Sequence, residues 1–249
     1  MSSALTEEIR PGICRPDWSL VTKQAARTAL MGRGRARSGL SKTWSRTLLP
    51  IEDLIWRTVI ELFVTSGRPP SVLEIAEATG VSGEQARTIL ANLQAYDLLA
   101  LDASATAIIY AYPFSGMPTE HRVKLYGRHL HAVCAVDALG VASMLRTDTE
   151  IESSCRPCGA RIELATCQNG RSLSHFRPTE AVLWYDFACA QAAAASCCPA
   201  IAFFCSGAHL EQWWLAQNPK RSGTRLTLDE GLEVGRALFE PVLANTVVR

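Results

Sequence analysis

The chain has 249 residues, 48% of them hydrophobic, and a formal net charge of +1. That is enough apolar material for a core in one large or two smaller domains, and near-neutrality excludes a global electrostatic pull toward nucleic acid or membrane. No apolar run approaches the roughly 18–20 residues of a membrane span, and the polar, acidic start of the chain does not read as a secretory signal.

A cytoplasmic location is therefore expected. There the nine cysteines would stay reduced, for metal binding or catalysis rather than disulfides. Residues 1–46 read as a basic, solvated N-terminal arm. Between Arg10 and Arg46 lie nine Lys or Arg against one acid, Asp17, and Met31–Gly39 is a poor helix and a poor strand. Residues 47–115 read as a winged helix-turn-helix-like module. Ile51, Leu54, Ile55, Val59, Ile60, Phe63 and Val64 share one helical face. Ser71 with Glu74 is a capping box opening a second helix that Gly80 stops, and Ser82 with Gln85 opens a third. Leu98–Leu101 and Ala107–Tyr112 then form a hairpin. Residues 51–101 carry a net −4, with only Arg87 as a cation on the candidate recognition helix. Such a surface repels phosphate, so nucleic acid is not an expected partner.

Residues 116–249 form the remainder. Strands are expected at Val123–Tyr126, Glu150–Ser154, Ala160–Thr166, Val182–Phe187 and Ile201–Phe204. Helices are expected at Ala132–Leu145, Leu210–Ala216 and Leu228–Leu243. Two thiol stations stand out here. One is His131–Gly140, with Cys134 and Asp137 at i and i+3 on one helical face. The other is Cys197-Cys198, where a strand reading places one side chain inward and the other outward. A carboxylate beside a thiol raises the thiol's pKa. The pair therefore suits capture of the thiolate by a soft metal better than generic nucleophilic attack. Each station taken alone reads first as a packed core cysteine. Cys155-Arg-Pro-Cys158-Gly is a knuckle-like Cys-x-x-Cys. With no second pair, and with Cys167, Cys189 and Cys205 badly spaced for a zinc ribbon, a structural or incidental role outweighs zinc.

Four blocks in order, covering roughly residues 50–245, resemble the organomercurial (alkylmercury) lyases. They are Ala111–Ser115 with Pro118–Val123, Cys134-x-x-Asp137-Ala-Leu, Ser153-Ser-Cys155 with Gly159, and Cys197-Cys198 leading to Phe203-Phe204. The resemblance implies an α+β fold, with a winged-helix-like module packed on a catalytic core of antiparallel sheets and flanking helices. It implies cleavage of R–Hg⁺ to a hydrocarbon and Hg²⁺, with Cys134 and Cys198 as the two thiols and Cys197 as the alternative second thiol. Asp137 would handle the proton and, with the thiols, hold the Hg²⁺ product; Cys155 would be structural. No organic cofactor is implied, and small cytosolic thiols or a mercuric reductase would accept the metal. A metal-responsive DNA-binding regulator and a non-catalytic soft-metal-binding relative are the alternatives.

Overall fold

The computed structural model describes residues 6–37, 47–188 and 192–244. Its elements in chain order begin with β1 (Glu7–Arg10), β2 (Ile13–Arg15) and α1 (Gln24–Arg37). Next come α2 (Pro50–Ser66), α3 (Val72–Thr79), α4 (Gly83–Ala95), β3 (Leu99–Leu101) and β4 (Ile108–Ala111). The core then adds β5 (Phe114–Ser115), β6 (Arg122–Leu125), β7 (Arg128–Ala132), α5 (Ala135–Leu145), β8 (Glu150–Ser154), β9 (Arg161–Cys167) and β10 (Ser172–Arg177). It closes with β11 (Val182–Asp186), α6 (Ala193–Ser196), β12 (Ala202–Phe204), α7 (Gly207–Leu215), β13 (Gly223–Thr227) and α8 (Leu228–Phe239). The class is α+β. An eight-stranded sheet runs β10-β9-β8-β6-β7-β5-β4-β3, and a three-stranded sheet runs β12-β11-β13. Every strand pair is antiparallel.

The three helices and hairpin expected over 47–115 are present. Both capping boxes form: the Ser71 and Ser82 side chains accept the N–H of Glu74 and Gln85, whose own side chains accept back. Gly67 and Gly80 end α2 and α3 with positive φ, where a side chain would be strained. On α2, Ile55, Trp56, Val59, Ile60 and Phe63 are buried, each contributing about 1.5–3 kcal/mol by leaving water. Phe63 stacks on Phe114 at 5.8 Å, which docks the helix onto β5. The hairpin β3–β4 continues the large sheet through β5, so one sheet spans the boundary at 115/116.

The reading of residues 1–46 as a solvated arm is corrected for residues 6–37; residues 1–5 and 38–46 lie outside the described residues. Residues 31–37 continue α1, contrary to the poor helix expected there. Tertiary packing overrides their weak propensity. Ile9, Val21, Ala26, Ala29 and Leu30 are buried. Four of the basic side chains are engaged within the fold. Arg10 pairs with Asp53 at 2.8 Å and donates to the Val242 and Ala244 carbonyls. Lys23 pairs with Glu233 at 3.0 Å, Arg27 lies over Trp18, and Arg33 lies over Tyr185.

Helices α5 and α8 cross at two glycines. A Cβ on Gly140 would sit 2.3 Å from Phe239 Cδ2 and 2.9 Å from the Gly235 carbonyl. This contact sets how deeply α5 lies in the core. Replacing a mid-helix glycine by alanine ordinarily stabilises a helix by about 1 kcal/mol. Here Gly140→Ala is expected to destabilise the protein by about 1–3 kcal/mol through overpacking, read as a lower urea midpoint. A midpoint at or above that of the wild type would show that the crossing is not tight.

Candidate active site

The first thiol is placed by a strand-to-helix junction. Helix α5 starts at Ala135, not Ala132. Ala132 N–H donates to the His121 carbonyl and Val133 N–H to the Pro113 carbonyl, so these residues are committed to sheet-like pairing. Cys134 is therefore not one face-mate of Asp137 on a helix but the cap of that helix. Its backbone is extended, and its Sγ accepts the Asp137 N–H at 3.5 Å. Both side chains lie at the helix N-terminus, where the backbone dipoles favour negative charge.

The second thiol arrives on a short helical turn. Cys198 opens a 3₁₀ turn over Cys198–Ala200 directly after α6. The Ala135 N–H donates to the Ile201 carbonyl at 3.1 Å, tying the start of α5 to the chain just beyond Cys198. The ligand atoms of Cys134, Asp137 and Cys198 lie within 4.8 Å of one another, and all three residues are buried. The alternation expected for Cys197-Cys198 is corrected, since a helical turn does not alternate and both residues are buried. Cys197 is disulfide-bonded, against the expectation that all the cysteines are free thiols, whereas Cys198 is free. Cys189 lies outside the described residues.

Burial dominates the electrostatics. It pushes the Cys134 thiol well up, with help from Cys198 and Asp137. It raises the Asp137 carboxyl to about 7, against the pull of the neighbouring Cys134 hydrogen bond, Arg33 and Arg15. Asp137 Oδ2 is buried without a hydrogen-bond partner, a costly arrangement for a charged oxygen and a tolerable one for a neutral acid. Burial would lower Arg33, but the Tyr185, Cys198 and Cys134 groups facing it outweigh that and hold it as a fixed cation. Tyr112, buried against the second thiol, has its pKa raised by burial and by Cys198; the Cys198 thiol donates toward its hydroxyl at 4.0 Å. The three groups line a cavity of about 40 Å³ with Arg15, Arg33 and Tyr112. A groove of about 520 Å³, lined by Tyr110, Met117 and His121 among others, also reaches Cys198.

Sequence reasoning missed Arg15, Arg33 and Tyr112 as part of this site. Arg15 and Arg33 were hidden in a basic run whose charge pattern resembles a solvated tail. Cys155 is buried and lies in a second cluster with Cys158, Cys205 and His209. Cys167 is free and half-buried on β9.

The alkylmercury lyase family model matches residues 114–240, just over half of the chain. An alkylmercury lyase of Staphylococcus epidermidis is 27% identical over 200 residues, covering 80% of this chain and 88% of that protein. One from Streptomyces lividans is 26% identical over 194 residues, covering 77% and 84%. The crystal structure of the mercury-bound form of MerB2 shares the fold with a TM-score of 0.68 at 23% identity, covering 88% of this chain and all of that one.

The raised Asp137 carboxyl predicts a pH signature. Its folded pKa of about 7 lies above the ordinary carboxylate value, so folding favours the protonated form. The group costs stability as pH rises from about 4 to about 7, and the full cost persists above that window. Asp137→Asn should therefore be more stable than wild type at pH 8, on the order of a few kcal/mol. The advantage should fade below about pH 4. Urea midpoints across pH test this, and a pH-independent difference would contradict the buried-acid assignment.

Proposed function

The chain belongs to the alkylmercury lyase family, and from that premise we propose that it cleaves the carbon–mercury bond of R–Hg⁺ by protonolysis at Cys134, Asp137 and Cys198. The observation that carries this reading is the burial of two free thiols and one partner-poor carboxyl oxygen within bonding reach of a single ion. Mercury(II) is a soft ion and thiolates are the softest protein ligands, so the substrate metal exchanges its outer ligand for one sulfur and then the other. Two sulfurs on mercury push electron density into the Hg–C bond. The departing carbon leaves as an incipient carbanion and takes a proton.

Asp137 supplies that proton. Its pKa near neutrality is the range in which one group can accept a proton from a thiol and deliver it to carbon. The balance closes: R–Hg⁺ and two thiols give R–H, a mercury dithiolate and one proton released to solvent. Arg33 limits the negative charge that builds up while the thiols ionise. The groove that reaches Cys198 gives organic groups larger than the inner cavity a way to the metal. No organic cofactor takes part. External thiols or a mercuric reductase remove Hg²⁺ by ligand exchange, and Cys198, facing both spaces, is the sulfur such an acceptor meets.

A DNA-binding regulator is less well supported. Within the three-helix module Arg57 pairs with Asp53 and Arg68 with Glu74, so neither presents a free cation to phosphate. A mere metal trap leaves the uncharged buried carboxyl without a role.

Reduced protein incubated with phenylmercuric acetate and excess dithiol should release benzene. Cys134→Ser and Cys198→Ser should each lower the rate by at least about 100-fold, the scale of a lost proton-transfer or ligand group. Cys197→Ser should change it far less. Full benzene release from either active-thiol variant would overturn the mechanism.

A further inference from the structure

Away from the active site, four ligand-type side chains converge from two distant parts of the chain. Cys155 and Cys158 occupy the tight turn between β8 and β9. Cys205 follows β12, and His209 lies in the first turn of α7, whose cap is Ser206. Their four ligand atoms all lie within 4.8 Å of one another. Cys158 Sγ is 3.8 Å from Cys205 Sγ, Cys155 Sγ is 3.6 Å from His209 Nδ1, and Cys205 Sγ is 2.9 Å from the same Nδ1. Zinc–sulfur bonds of about 2.3 Å in a tetrahedron put the sulfurs roughly 3.8 Å apart. The Cys158–Cys205 separation is that edge, and it is far beyond a disulfide bond of about 2.05 Å.

The backbone is shaped to match. The Cys155 N–H donates to the Ala160 carbonyl at 2.8 Å, and the Gly159 N–H donates to the Cys155 carbonyl at 2.7 Å. Gly159 sits at φ +69°, the left-handed conformation that a glycine after the second cysteine permits. This is a Cys-x-x-Cys-Gly knuckle. Its complement is a Cys-x-x-x-His pair at a strand-to-helix junction, a spacing at which two ligands reach one ion.

We propose that Cys155, Cys158, Cys205 and His209 form a closed four-ligand site for a zinc ion, distinct from the mercury-handling thiols. Three sulfurs and one imidazole are a donor set for zinc, and four protein ligands leave no open position for catalysis. The ion would staple the β8–β9 turn of the large sheet to β12 and α7 beside the small sheet. Cys205 lies seven residues beyond Cys198, so the staple would hold the far end of the strand that follows the second active thiol. The proposal stands independently of the lyase mechanism.

The test is metal analysis of the full-length protein, purified reduced and without chelator after growth with zinc. Wild type and Cys134→Ser should each carry about one zinc per chain. Cys158→Ser, at an exposed position tolerant of change, and His209→Ala should lose most of it. Cobalt(II) replacing the zinc in wild type should show the thiolate charge-transfer and intense ligand-field bands of a tetrahedral site, a readout that does not depend on any variant folding. Absence of zinc from wild type together with absence of those cobalt bands would overturn the proposal. So would zinc that survives Cys158→Ser and His209→Ala but is lost in Cys134→Ser. Benzene release by the same wild-type preparation reports on the mechanism separately.

Discussion

The structure turns on three ionisable side chains held together where water cannot stabilise their charges. Two thiols and a carboxyl in one buried pocket cannot all ionise, because each charge would be desolvated and would repel the others. Burial therefore keeps the Cys134 thiol protonated and lets the Asp137 carboxyl hold its proton close to neutrality. A soft cation changes that balance at once. It takes the place of the thiol protons and makes the ionised sulfurs favourable. The pocket is poorly suited to its own charges and better suited to a bound soft cation, which is the discrimination the proposed protonolysis needs.

The scaffold serves this arrangement. The N-terminus of α5 offers its dipole to Cys134 and Asp137, and one backbone hydrogen bond from Ala135 to Ile201 fixes the spacing between the two thiol segments. The glycine crossing of α5 with α8 lets the helix sit deep enough for that bond. The N-terminal segment lines the site through Arg15 and Arg33. Arg33 faces the thiols while its guanidinium lies 5.5 Å from the Tyr185 ring centre, and Arg15 lies over Phe239. A segment that looks dispensable by composition is thus part of the electrostatics of the pocket.

Much of this was legible in the sequence because the signals were local. Ser71 with Glu74 and Ser82 with Gln85 act within one helical turn, and Gly80 requires only its own dihedral freedom. The strands β11 and β12 follow from short apolar runs. Spacing singles out Cys134 and Asp137, although α5 starts later than the sequence suggests because Ala132 and Val133 pair with His121 and Pro113, which no local pattern reveals. What stayed hidden was non-local. Nothing near Arg33 in sequence marks it as a site residue. Nothing joins Cys155-x-x-Cys158 to Cys205-x-x-x-His209 until β12 brings them together.

The central claim is that Asp137, held protonated by burial, hands its proton to carbon after the two thiols have taken the metal. Single-turnover loading of Asp137→Asn with one equivalent of phenylmercury, followed by intact mass spectrometry and benzene quantification, tests it directly. The account predicts a stable phenylmercury adduct on the protein and benzene formation slowed by at least about 100-fold. Benzene released at the wild-type rate, leaving bare Hg²⁺ on Cys134 and Cys198, would contradict it.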